Sequence, residues 1–141
     1  LKDIILTDIC PFSLGIAVFE QKTNEEIMEF LIQRNTSLPT SRINVFNAVK
    51  DGQDKIHIKI YQGESILPAK NLFLGELEID CPKTKKDDVI CSVRLTYDIN
   101  GILVVDVITN DNKNYTKTIF LLLRIIKRQM LQFLNLQSMN S

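Results

Sequence analysis

Between Phe12 and Phe120 the hydrophobic positions fall into short segments divided by turn chemistry, and no internal repeat runs through them. The clearest segment is Lys55 to Tyr61, where Ile56, Ile58 and Ile60 alternate with His57, Lys59 and Tyr61. Successive side chains of a strand point to opposite faces, so this segment has one apolar face and one wet face and lies over a core or a groove. Similar segments run from Leu14 to Glu20, Ile27 to Gln33, Ile43 to Val49, Leu72 to Ile79, Ile90 to Tyr97, Ile102 to Ile108 and Tyr115 to Leu121. Each is bounded by Gly, Pro, Asn, Asp or Lys-rich joints. Asn100-Gly101 is suited to the positive φ angles of a two-residue hairpin turn, which would pair the Leu95 segment antiparallel with the Leu103 segment. These signals predict a mainly β fold: a two-layer antiparallel β-sandwich of about eight strands.

After Phe120 the period changes. Leu122, Leu123, Ile126, Met130, Phe133 and Leu134 cluster on one side at about 100° per residue, while Arg124, Lys127, Arg128 and Asn135 fall elsewhere. This predicts a C-terminal amphipathic helix over 122–141. Two readings of its stripe stay open: it covers the base of its own sandwich, or it touches a second surface or another chain, as the off-stripe Leu131 suggests. The apolar stretch from Ile119 through Ile126 is interrupted by Arg124 and falls short of the roughly 20 residues a spanning helix needs. At the other end, Ile4, Ile5 and Leu6 are flanked by Asp3, Thr7 and Asp8, without the basic start, long apolar centre and cleavage site of a signal peptide. A soluble protein is expected, with no membrane partner.

Composition narrows the partners. At 141 residues the chain is one ordinary domain, able to bury a core without staples. It is 45% hydrophobic and 24% charged, and 17 basic residues balance 17 acidic ones, which speaks against disorder and against a global field for nucleic acid. Three cysteines, Cys10, Cys81 and Cys91, are an odd number that fits buried thiols in a reducing compartment. With no Cys-x-x-Cys spacing and only His57, no metal site is expected.

Several segments, in order, carry a resemblance. They are Asp3-Ile4-Ile5-Leu6; Asp8-Ile9-Cys10-Pro11-Phe12-Ser13-Leu14-Gly15-Ile16; Arg34-Asn35-Thr36-Ser37-Leu38-Pro39-Thr40; and Val45-Phe46. Ile60-Tyr61-Gln62-Gly63-Glu64, then Asn71 with Leu74-Gly75, and Thr96-Tyr97-Asp98-Ile99-Asn100-Gly101-Ile102-Leu103 complete the series. Over roughly residues 3 to 118 the chain resembles the substrate-binding domain of DnaK-type, seventy-kilodalton heat-shock chaperones. The Asp-Ile-Cys-Pro and Tyr-Asp-Ile-Asn-Gly variants look most like the bacterial HscC branch.

The resemblance implies a sandwich whose loops at one end form a channel for an extended hydrophobic peptide. Ile16, Phe46, Ile56 and Ile58 would line its pocket, and Phe19 and Val49 would arch over the bound backbone. Phe19 precedes a segment, Glu20 to Glu29, that is longer than the family pattern. Residues 1–8 would be a linker remnant, 9–121 the peptide-binding domain and 122–141 the helix, with most of the helical lid missing. Ile4, Ile5 and Leu6 match the linker that docks onto an ATPase domain. That domain is not recognised in this chain, so no cofactor is expected here, and ATP and magnesium belong to it. A J-domain co-chaperone would serve the full-length protein, in the cytoplasm.

On the residues alone, alternating isoleucines are what any sandwich core shows, and Asn35 and Thr36 before Leu38-Pro39 shape a turn. Self-association through the linker or tail is the alternative to peptide holding. An enzyme is not expected. No phosphate loop or dinucleotide fingerprint appears, His57 with Asp51 or Asp54 should face solvent or the opposite layer, and Cys10 or Cys91 lacks an orienting constellation.

Overall fold

The computed structural model describes residues 8–20, 22–121 and 123–140, with the side chains of 123–128 left aside. Eight strands follow in order: β1 (Leu14–Glu20), β2 (Glu25–Ile32), β3 (Thr40–Asn47), β4 (Gln53–Gln62), β5 (Leu72–Thr84), β6 (Val89–Tyr97), β7 (Ile102–Thr109) and β8 (Asn114–Phe120). They form two antiparallel sheets, ordered β2-β1-β4-β5 and β3-β6-β7-β8. The predicted sandwich is present, and a helix, α1 (Leu123–Met139), follows it.

Alternation in the sequence becomes layering. Ile56, Ile58 and Ile60 of β4 point inward with Leu14 and Ile16 of β1. Val93, Leu95 and Tyr97 of β6 and Leu103, Val105 and Val107 of β7 answer from the other sheet, and all belong to one continuous core. Burying apolar surface at ~25 cal/mol per Å² is what holds the layers together. The β1–β2 register shifts between Leu14 and Gly15, with Leu31 of β2 as the extra residue, and a Cβ at Gly15 would run into the Glu29 carbonyl, so β1 and β2 meet there only because the side chain is missing.

The turn chemistry held in kind and differed in detail. β6 and β7 pair antiparallel, with Tyr97 opposite Leu103. The joint is not a two-residue turn with both φ angles positive: among residues 98–102 only Gly101 has positive φ, at 78°. The Asp98 carboxylate accepts the N–H groups of Asn100 (2.8 Å) and Ile102 (3.0 Å), and this keeps Asn100 out of the left-handed region. Asn35 does take left-handed geometry, φ 71°, between β2 and β3, and its N–H donates to the Cys10 carbonyl at 2.7 Å.

Two elements depart from expectation. β5 runs on to Thr84, past Pro82, which an edge strand tolerates because its outer side needs no donor. The segment after Phe19 adds no long loop but extends the hairpin, pairing Phe19 with Glu26 and Glu20 with Glu25. On the helix, Met130, Phe133 and Leu136 are each more than half exposed, while Leu131 is sheltered. Ile119 and Leu121 already close the core at that end, so the described part of the stripe does not cover the sandwich base. Among the described residues no helix is long and apolar enough to cross a membrane.

Candidate functional site

At the end of the sandwich where β1 and β3 finish and β4 begins, a cavity of about 520 Å³ opens between the sheets. Its floor is core. Ile16 comes from β1 and Ile56 and Ile58 from β4, all buried, because the inward face of each strand runs without a break from the core to the mouth. Phe46 of β3 is half-buried and packs against the same core from the second sheet. Phe19 and Val49 stand at the rim, 44% and 36% exposed. All six positions expected of the channel therefore meet at one cavity.

The rim is held by backbone bonds. The Ala48 N–H donates to the Asp88 carbonyl at 2.8 Å and the Asp87 N–H returns to the Ala48 carbonyl at 2.9 Å, so the β3–β4 connection is stitched to the β5–β6 connection. Asp51 accepts the Lys86 N–H at 2.9 Å in the same seam. Gln53 works from the other side: its Oε1 accepts the Val49 N–H, and its Nε2 donates to the Lys55 carbonyl, each at 2.9 Å. Gly52, at φ 74°, lets the chain reverse between Val49 and Gln53.

Charge sits around the cavity rather than in its floor. Lys50, Asp54, Lys55 and His57 line its β4 side and Glu29 its β2 side. His57 is exposed and its Nε2 lies 2.6 Å from Glu76 Oε2 and 3.8 Å from Glu78 Oε1 on β5, a set of surface pairs. On β2, Glu26 is bound by Lys59 Nζ at 2.9 Å, and that hydrogen bond raises the lysine pKa above its ordinary value.

Most of the remaining lining residues, among them Glu29, Gln53 and Cys91, were not expected as site positions from the sequence. Cys91 stands opposite Phe46 across the β3–β6 ladder, a pairing that no local pattern announces. Burial pushes the Cys91 thiol up to about 12 and the Cys10 thiol to about 11, so both stay protonated near neutrality. All three cysteines are free. Among the described residues no group of three or more His, Cys, Asp or Glu is placed to hold a metal ion. Ile4, Ile5 and Leu6 lie outside the described residues.

Fold and site together define a class: an antiparallel β-sandwich with an apolar, loop-rimmed groove at one end. A family model described as "Hsp70 protein" matches residues 1–123, and the chain belongs to the Hsp70 family. It is 32% identical over 111 residues to the chaperone protein DnaK of Thermotoga petrophila, covering 78% of this chain and 17% of that protein. The chaperone protein DnaK of Anaplasma marginale is 34% identical over 112 residues, 79% of this chain and 16% of the relative. The chain thus spans about a sixth of the length of the curated relatives it matches.

Proposed function

We propose that this chain is the substrate-binding part of an Hsp70-family chaperone, and that its groove holds extended, apolar segments of unfolded proteins. The observation that carries this reading is the convergence of Ile16, Phe46, Ile56, Ile58, Phe19 and Val49 on one cavity. Its volume lies in the range of ordinary ligand sites, and its floor is aliphatic. Burying a guest leucine there is worth ~1.5–3 kcal/mol. An extended guest adds main-chain hydrogen bonds that do not depend on its sequence, so the pocket selects and the backbone holds. Phe19 and Val49 would close over that backbone. No step of this function needs covalent chemistry, and the protonated Cys91 thiol at the groove supplies none.

In a full-length protein, release would be driven by an ATPase domain using ATP and magnesium, with Ile4, Ile5 and Leu6 docking onto it and a J-domain co-chaperone acting there. The Asp8-Ile9-Cys10-Pro11 and Tyr97-Asp98-Ile99-Asn100-Gly101 variants support placement near the HscC branch, and three free thiols suit the cytoplasm.

Fluorescence anisotropy with a labelled leucine-centred peptide tests the reading. Binding should saturate, and Phe46→Ala should weaken it about tenfold or more, the equivalent of ~1.4 kcal/mol. No binding at high micromolar protein, or an unchanged affinity in Phe46→Ala, refutes it. A second reading, self-association through the tail, rests on the exposed Met130, Phe133, Leu136 and Met139 of α1. Light scattering with and without the tail separates the two.

A further inference from the structure

Each sheet of the sandwich has two edges, and the edges β2 and β3 run beside the groove. Glu29 on β2 is paired with Ile16 across the β1–β2 ladder, so it shares the face of a pocket residue. Asn44 on β3 is two residues from Phe46 and shares that residue's face. These inward-facing polar side chains meet: Asn44 Nδ2 donates to Glu29 Oε1 at 3.0 Å, from one sheet to the other. Glu29 itself lines the cavity.

The opposite flank is closed differently. There the Lys117 side chain from β8 lies over Gly75 of β5, filling the place where a Cβ would stand, with Ile119 of the core close by. The groove flank has this hydrogen bond between half-buried groups in its place. Apolar packing is lost gradually as surfaces part, whereas a hydrogen bond is directional and is lost within about an ångström. Water can reach both half-buried groups and replace the bond when it opens. The backbone under Glu29 packs closely on β1, where Gly15 approaches its carbonyl too closely to admit a side chain. The carboxylate is thus presented to Asn44 from a strand closely backed by β1.

We propose that Glu29 and Asn44 are positioning residues that form a side clasp of the groove, setting its width at the Ile16–Phe46 level and the rate at which an extended peptide enters and leaves. This rests on the peptide-holding reading above. The clasp would act by opening, and neither residue need bond the guest.

Stopped-flow kinetics with a short labelled leucine-centred peptide, on wild type, Asn44→Ala, Glu29→Ala, the double variant and Glu29→Gln, tests it. Asn44→Ala and Glu29→Ala should each raise the dissociation rate about tenfold, the scale of one hydrogen bond to a charged acceptor. The association rate should rise with it. The double variant should be no faster than either single, because both remove the same bond. Glu29→Gln keeps a carbonyl acceptor and should restore rates to within about threefold of wild type, an outcome that loss of charge alone would not give. Hydrogen exchange of residues 27–30 and 43–46 supplies a readout without peptide: faster in both alanine variants, restored in Glu29→Gln. Unchanged dissociation rates with normal binding, additive effects in the double variant, or unaltered exchange overturn the clasp. Absence of peptide binding in wild type overturns the chaperone reading instead, and the exchange result then decides the clasp by itself.

Discussion

Ile16, Ile56 and Ile58 belong to the core and to the site at once. Each is at most 5% exposed, yet each lines the cavity, because the inward face of β1 and β4 continues past the packed layer to its open end. Their double role explains why alternation alone could not separate pocket from core. Substitution should therefore divide the residues. Ile58→Ala, deleting buried carbon, should lower stability by ~2–5 kcal/mol in urea unfolding, whereas Phe46→Ala at the half-buried wall should act more on binding than on folding. The thiols make a second prediction at this scale. Burial raises Cys91 to about 12 from an ordinary 9.0, so the folded state keeps a proton that the unfolded chain gives up. Its contribution is complete below pH 9 and is lost as pH climbs towards 12. Urea midpoints should fall across that window, and less steeply in Cys91→Ala. With a thiol reagent at pH 8 the part-exposed Cys81 should label before Cys10 and Cys91.

Among elements, the strands were legible and their joints only partly so. Period-2 alternation is local, so Lys55 to Tyr61 declared β4 directly, and β4 proved longer only at its ends. Turn geometry depends on which side chain reaches which N–H. The Asp98 carboxylate decided the β6–β7 joint, and Gln53 the β3–β4 joint, neither visible in hydropathy. Gln53 yields a prediction. Removing its amide takes away the acceptor of the Val49 N–H and the donor to the Lys55 carbonyl at the rim. Gln53→Ala should weaken peptide binding about fivefold, near 1 kcal/mol for the lost bonds, with a change in Tm of only a few degrees. An unchanged affinity by anisotropy would show that the rim needs no such anchor. The helical period of α1 was equally plain, but what its stripe faces was not, because amphipathicity names a surface and never its partner.

For the whole molecule, one continuous core spans both sheets, and none of the described helix side chains from residue 129 onward belongs to it. A chain ending after residue 128 should therefore keep the Tm of the sandwich within a few degrees, since the residues removed are mostly exposed. Light scattering of that chain should show the same mass if the tail carries no association. The groove was legible as six positions only through the ordered motifs of the family; the fold shows that they converge, and the seam between the 48–52 and 85–88 segments shows what holds them in place. That seam is long-range in sequence, which is why no window of residues announced it.

The central claim is that an extended apolar peptide sits between Ile16, Phe46, Ile56 and Ile58. Methyl NMR of isoleucine-labelled protein titrated with a leucine-centred peptide tests it most directly. The account predicts saturable shifts of the Ile16, Ile56 and Ile58 methyl signals, with Ile43 and Ile108 on the outer face of the second sheet unmoved. Shifts confined to that outer face or to the helix, or none at a peptide concentration that saturates anisotropy, would contradict it.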